Sequence, residues 1–425
     1  MHSNTQTLKH SNTQTLKHSN TQTLKHSNTI NELFIILGFI SFYVPERYAV
    51  PGAVYLLWRC SMAAVTILAS LMLFQSGRIN KTNISMFSYY FWIYIGASLF
   101  SSTASVIWTT ALRTGGCIAY MELLLQTRSE KSVMRDFLIA GVLMSCVHFA
   151  GFLANPDGGM LSNVAVFHMG KAKFRSGSWF FLKHDNGSVY YFIPVAVMLL
   201  YYTIYHNRKT FKYFFAYTAF LVFMFIYRMS ATAMVVCSFM ALSLMYLYFG
   251  RKRKRLMLYS LFNYKTSVIM GLICVIIPLL MVGGGLALEI AALVGKSATF
   301  SGRDQIWAKS FIYILQNPIT GLGNEDSILT TAKIGINHCH NLIVQNLYTG
   351  GIIALFLFFM IMIRYKPKRT DKFKTAIFSV GILCFFVTAA FDWYPYYPLP
   401  MSLFVFNYYV NMRDATARIK PPLKR

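Results

Sequence analysis

From residue 30 onward, long apolar stretches alternate with short polar ones that are mostly basic. Twelve stretches can be marked, at 30–45, 53–75, 84–107, 114–127, 133–154, 189–205, 211–227, 231–249, 267–288, 342–363, 375–391 and 399–412. Most approach the ~20 residues that a helix needs to cross a bilayer core of about 30 Å. The fourth and the last are the shortest. The pattern predicts an all-α, polytopic integral membrane protein with about 12 transmembrane helices. Two gaps between spans are long, 155–188 and 289–341. In the second, Ile306, Trp307, Phe311 and Ile314 recur at helical spacing behind Ser301, which predicts a short amphipathic helix capped by Ser301. It should end before Asn317-Pro318 and the Gly321-Leu322-Gly323 turn.

Composition supports this reading. Hydrophobic residues make up 56% and charged residues 13% of the 425, against about 25% charged in a soluble domain, which excludes a soluble globular chain. The charge balance adds a second question. Forty Lys and Arg against 14 Asp and Glu give +26, an excess suited to nucleic acid, a membrane surface or an anionic substrate. Placement decides among these. A cytoplasmic N-terminus puts most of the basic residues inside, including Arg251 to Arg255 and the segment 364–374, as the positive-inside rule requires. The Arg251 cluster then sets orientation, and no nucleic-acid partner is expected. The expected arrangement is a multi-pass membrane protein with both termini cytoplasmic and a basic tail over 413–425.

The first outer loop departs from that rule. It carries His168, Lys171, Lys173, Arg175, Lys183 and His184 against only Asp157 and Asp185. Basic residues on the outer side point to an anionic ligand, with Lys171, Lys173 and Arg175 as candidate contacts. The second loop holds Lys296, Arg303, Lys309 and Lys333. Seven scattered cysteines form no CxxC pair, so neither a disulfide framework nor a zinc site follows. His338-x-His340 has no acidic or thiolate partner spaced to complete a metal site. Neither metal nor cofactor is expected.

Residues 1–29 follow another logic. After Met1 the octapeptide His-Ser-Asn-Thr-Gln-Thr-Leu-Lys occurs three times in tandem, then in part. The eight-base unit CACTCAAA, written three times, translates as that octapeptide. We therefore expect an octanucleotide tract in the gene, where gain or loss of one unit shifts the frame. Such tracts resemble the contingency loci that vary surface structures in host-adapted bacteria. The tail itself is polar and is expected to be disordered.

The stretch Ser301 to Gly351 carries the most unusual local sequence. It has an SGR…W segment, then Pro318-x-x-Gly321-x-Gly323, then His340-Asn341 followed by Gly350-Gly351. In combination, and with the many-span layout around a large late loop, this resembles the O-antigen ligase and polymerase superfamily. The resemblance implies an outer-face glycosyltransferase over residues 30–412. It would take a glycan from undecaprenyl diphosphate and pass it to a sugar or lipid A-core acceptor, with a flippase and a chain-length regulator as associates. It places site arginines at Arg228 and Arg303 and a site histidine at His340. Physical chemistry agrees with these roles, because guanidinium forks bind phosphate oxygens bidentately and imidazole is the usual general base near neutral pH. His338 competes with His340: on a helix, residues two apart point about 200° apart, so only one would face the arginines. Asn341 and His338 are further candidate substrate contacts.

Two basic outer loops favour a polymerase. A ligase fits the same residues, and a lipid-linked oligosaccharide flippase is a third class. Glu122, an acid within the fourth span, is functional by default and could pair with Arg59 or Arg113. Asp392, in DWYPYYPLP, sits among aromatics of the kind found in an interfacial belt.

Overall fold

The computed structural model describes residues 32–45, 50–77, 79, 81–154, 156, 181–182, 185–228, 230–253, 262–280, 302–367, 371–392 and 398–419. Among them the chain is helical, and the pairing of Ala104 with Glu325 is a single isolated β-bridge. The bundle helices are α1 (Glu32–Ser41), α2 (Gly52–Gln75), α3 (Lys81–Phe91), α4 (Trp108–Thr127), α5 (Glu130–Ala154), α6 (Asp185–Tyr205), α7 (Phe211–Tyr227), α8 (Ala231–Arg253) and α9 (Tyr264–Leu280). Two short helices follow, α10 (Arg303–Gln316) and α11 (Ser327–Ile334). The bundle then resumes with α12 (Leu342–Arg364), α13 (Lys372–Ala389) and α14 (Ser402–Ile419).

Each expected apolar stretch coincides with a helix, and seven helices among the described residues are long and apolar enough to cross a membrane. The protein is therefore an all-helical polytopic membrane protein. The other expected spans fall on helices that are shorter, interrupted or less apolar, so seven crossings are what length and hydropathy support. Lys171, Lys173 and Arg175, the repeat tail, and Ser301 lie outside the described residues.

Helix α6 runs through the centre of the bundle. Residues 189–201 are all buried, whereas α2 presents Leu56, Leu57, Leu68 and Phe74 on its surface. A helix apolar all round is stable at the centre of a bundle, and one with an outward leucine face is suited to lipid. At one end of the bundle the basic residues gather: Arg135 bonds Glu32 and Asp136, and the Arg251 guanidinium lies over the Tyr205 and Phe373 rings. The other end carries α10, α11 and the start of α12.

That second end has its own small core of Trp307, Ile314, Leu322, Ile334, Cys339, Val344 and Tyr348. The buried face of α10 is Trp307, Ser310 and Ile314. Phe311, expected on that face, is instead exposed, and the helix starts from Gly302 at φ 84°.

The Pro318-to-Gly323 turn and the glycine pair of α12 are two halves of one device. Gly351 adopts φ 63°, ψ −161°, which kinks α12 and interrupts its backbone hydrogen bonding. The turn supplies replacements: Leu322 N donates to the Tyr348 carbonyl at 2.8 Å, Gly323 N to Thr349 at 2.9 Å, and Ile352 N to Pro318 at 2.9 Å. The backbones approach so closely that a Cβ on Gly351 would lie 2.1 Å from the Ile319 carbonyl oxygen, and one on Gly321 would lie 2.5 Å from Gly350 N. A matching irregularity receives the turn from the other side. After α3 the helix loosens into a π-turn at Trp92–Gly96, Trp92 Nε1 donates to the Gly350 carbonyl, and Asn324 Nδ2 donates to the Ile93 carbonyl.

Candidate functional site

The segment His338 to Asn341 leads into α12 and is held on both sides of His340. Cys339 has both peptide groups engaged: its N–H donates to Gln345 Oε1 at 2.7 Å, and its carbonyl accepts from Trp307 Nε1 at 2.8 Å. Asn341 is fully buried. Its Oδ1 caps α12 by accepting from Ile343 N and Val344 N, while its Nδ2 donates to the carbonyls of Val275 in α9 and Ala390 beyond α13. Between these anchors His340 is held at φ 53°, a non-glycine residue with positive φ among the described ones. Backbone in this sparsely populated region persists only where its surroundings over-determine it, and Gln345, Trp307 and Asn341 supply that constraint.

Because the backbone here is not helical, the two histidines do not diverge. Their ring centroids are 3.8 Å apart at an interplanar angle of 49°, and both face Asp392. His338 Nε2 lies 3.2 Å and His340 Nδ1 3.4 Å from the same oxygen, Asp392 Oδ1. The expectation that only one histidine can turn toward the site is corrected on this point. So is the expectation that no acid is placed to join them: Asp392, buried at 2% exposure, arrives from beyond α13, where no local spacing reveals it. Three ligand-type atoms, one from each residue, lie within 4.8 Å of one another.

Asp392 is itself positioned through the centre of the bundle, since Tyr190 of α6 donates its hydroxyl to the Asp392 carbonyl at 2.5 Å. One turn earlier on α6, Asn186 accepts from Ser230 at 2.7 Å. This places Arg228, which caps α7, at the same end of the bundle. Arg228 is buried, and its Nη1 donates to the Pro156 carbonyl at 2.8 Å. That contact ties Arg228 to the start of the first long loop.

Arg303 opens α10 and lies in the field of this cluster. Burial pushes its guanidinium below its usual range, and the Asp392 carboxylate opposes that shift. Burial is also the main reason that the His340 imidazole falls to about 3; His338 and Arg303 push the same way, while Asp392 pushes back. His340 is therefore neutral near pH 7. A proton on Nδ1, which lies 3.4 Å from Asp392 Oδ1 without a formed hydrogen bond, leaves a lone pair on Nε2, which makes no hydrogen bond among the described residues. His338 differs, because its Nδ1 is engaged by Asn337 Oδ1 at 2.7 Å and its Nε2 by Asp392.

A buried carboxylate, a neutral histidine with one open nitrogen and a half-buried arginine thus converge at the mouth of α12. Residues 216–359 match the family model described as O-antigen ligase. That segment, about a third of the chain, is similar to the O-antigen ligase family. The matched segment holds Arg228, Arg303, His338, His340 and Asn341, while Asp392 lies beyond it. No curated protein and no solved structure matches the chain.

Proposed function

We propose that the protein is a surface-polysaccharide polymerase that transfers a glycan from undecaprenyl diphosphate to an acceptor sugar on the outer face of the bacterial inner membrane. The observation that carries this reading is the convergence of His340, Asp392 and Arg303 at the start of α12. His340 Nε2 takes the proton of the acceptor hydroxyl. The oxygen attacks the anomeric carbon from the face opposite the diphosphate, so configuration inverts. The bond from that carbon to the phosphate oxygen breaks, and its electron pair leaves with the lipid diphosphate. Arg303 stabilises the charge that develops there, an effect strong in a site that excludes water. Asp392 holds the imidazole in the Nδ1–H form and stabilises the imidazolium, as an acid behind a base does in hydrolytic triads.

Donor and base are coupled. A diphosphate on Arg303 offsets one of the smaller influences that lower the His340 imidazole, whose main cause is burial. Arg228 contributes to the donor site from the base of the first loop, and the basic residues Lys171, Lys173 and Arg175 of that loop are assigned as further contacts to the anionic substrate. Asn341 is assigned a positioning role, because its side chain is spent on the cap and on two carbonyls. Orientation follows from the basic residues at the opposite end of the bundle. A ligase reading, transfer to lipid A-core, is favoured by the description of the matching family.

The test uses purified full-length protein in detergent with a lipid-linked glycan. Release of undecaprenyl diphosphate should fall by about 10²- to 10⁴-fold in His340→Ala and by about 10²-fold or more in Arg303→Ala. Turnover unaffected by both changes would defeat the site. A ladder of glycan lengths made from the donor alone supports polymerase; a single product that requires lipid A-core supports ligase.

A further inference from the structure

The contacts of His338 raise a question that a base and its carboxylate leave open. With Asn337 Oδ1 as the acceptor, the 2.7 Å contact is satisfied by a proton on His338 Nδ1. Nε2 then carries a lone pair, and it points at Asp392 Oδ1 from 3.2 Å. A lone pair facing a carboxylate oxygen is repulsive unless a cation lies between them, either a proton or a metal ion. A third donor, His340 Nδ1, approaches the same oxygen at 3.4 Å. Tetrahedral zinc binds His and Asp at about 2.0 to 2.2 Å, which sets neighbouring donors about 3.4 Å apart. Both separations match that spacing, and one ligand-type atom from each of the three residues lies within 4.8 Å of the others. The Asn337 contact is also the outer support that metal-binding imidazoles characteristically have.

We infer that His338 Nε2, His340 Nδ1 and Asp392 Oδ1 form a binding site for a zinc-class divalent ion, and that its occupancy switches the enzyme off. The second half rests on the reading of His340 as base. A neutral imidazole has one nitrogen lone pair. When Nδ1 gives it to the metal, the ring proton must reside on Nε2, and Nε2 can no longer accept a proton from an acceptor hydroxyl. The ion therefore inhibits by fixing the wrong tautomer, without blocking the donor site on Arg303. The positive field of Arg303 opposes the ion and keeps it reversible. Magnesium, which prefers all-oxygen octahedral sites, should have no such effect.

The experiment titrates zinc into the purified full-length protein, reading binding by competition with a chromophoric chelator and turnover in parallel. The expected result is one zinc per chain, loss of turnover over the same concentration range, recovery on adding chelator, and no response to magnesium. His338→Ala should abolish binding. Asn337→Ala changes an exposed residue, and it should weaken zinc binding about tenfold while leaving turnover in chelator-treated buffer unchanged. Failure to bind zinc, or binding that survives His338→Ala, overturns the site. Zinc binding with turnover undiminished overturns the inhibitory switch. The activity of His340→Ala in zinc-free buffer tests the base separately, so the two readings fail independently.

Discussion

Glu122 and Asp392 are two buried acids with opposite surroundings. Glu122 is fully buried in α4 and Asp392 is 2% exposed. Around Glu122 the neighbours are neutral: Tyr365 donates its hydroxyl at 2.6 Å, Gln126 donates at 3.4 Å, and Asn83 and Tyr409 face it as well. The partners expected from the sequence are elsewhere, with the Arg113 guanidinium on the Tyr191 hydroxyl and Arg59 over the Tyr55 ring. Around Asp392 stand two imidazoles and the field of Arg303. Burial alone therefore does not mark a functional acid in this bundle. A carboxylate ringed by hydroxyl and amide donors ties helices together, whereas one facing groups that gain or lose protons can take part in chemistry.

The sharpest way to break this contrast is to neutralise each acid with its amide. Asp392→Asn keeps the volume but removes the charge that holds Nδ1–H of His340 and would stabilise its imidazolium. Glycan transfer should fall by about 10³-fold, within the range set by a mis-supported base. Detergent melting should move little, since the Tyr190 bond reaches the Asp392 backbone and not its carboxylate. Turnover within a fewfold of wild type would place Asp392 with Glu122 as a structural acid.

A second test concerns the frame that holds the site. Gly351→Ala puts a Cβ where the Ile319 carbonyl oxygen lies, at 2.1 Å, on a residue at φ 63°. The clash and the strained backbone should cost about 2 to 3 kcal/mol, read as a lower melting temperature. Because the kink is pinned to the turn that leads into α11, the turnover that remains should fall as well. A variant as stable as wild type would show that α12 does not need the turn to fix its kink.

Much of this was legible from the sequence, for physical reasons. Apolar runs report helices because a bilayer imposes their length, and each expected stretch meets a helix. The His340-Asn341 pair and the glycine pattern stood out through the family resemblance, and the structure supplies the local reason for them, a cap, a turn and a kink. Asp392 was read as part of an aromatic belt, since what gives it meaning is the return of α13 to the mouth of α12, which no local spacing encodes. The divergence expected of His338 and His340 assumed helical backbone, and positive φ at His340 removes that assumption. Phe311 was put on the wrong face of α10 because a short helix with apolar residues on several sides leaves its rotation to the tertiary contacts of Trp307.

The smallest expected effect completes the contrast. Glu122→Gln exchanges one carboxylate oxygen for an amide NH₂ among groups that already donate, so one favourable contact is lost. The remaining carbonyl oxygen still accepts from Tyr365. A hydrogen bond between neutral groups is worth about 1 kcal/mol net, and the variant should melt only slightly below wild type with glycan transfer unchanged. Measured beside Asp392→Asn, it asks whether charge or only hydrogen-bond acceptance is needed at each site. A tenfold loss of transfer in Glu122→Gln at unaltered stability would mean that the charge of Glu122 is used in turnover, and the neutral ring around it would then have to be read as a device for tuning that charge.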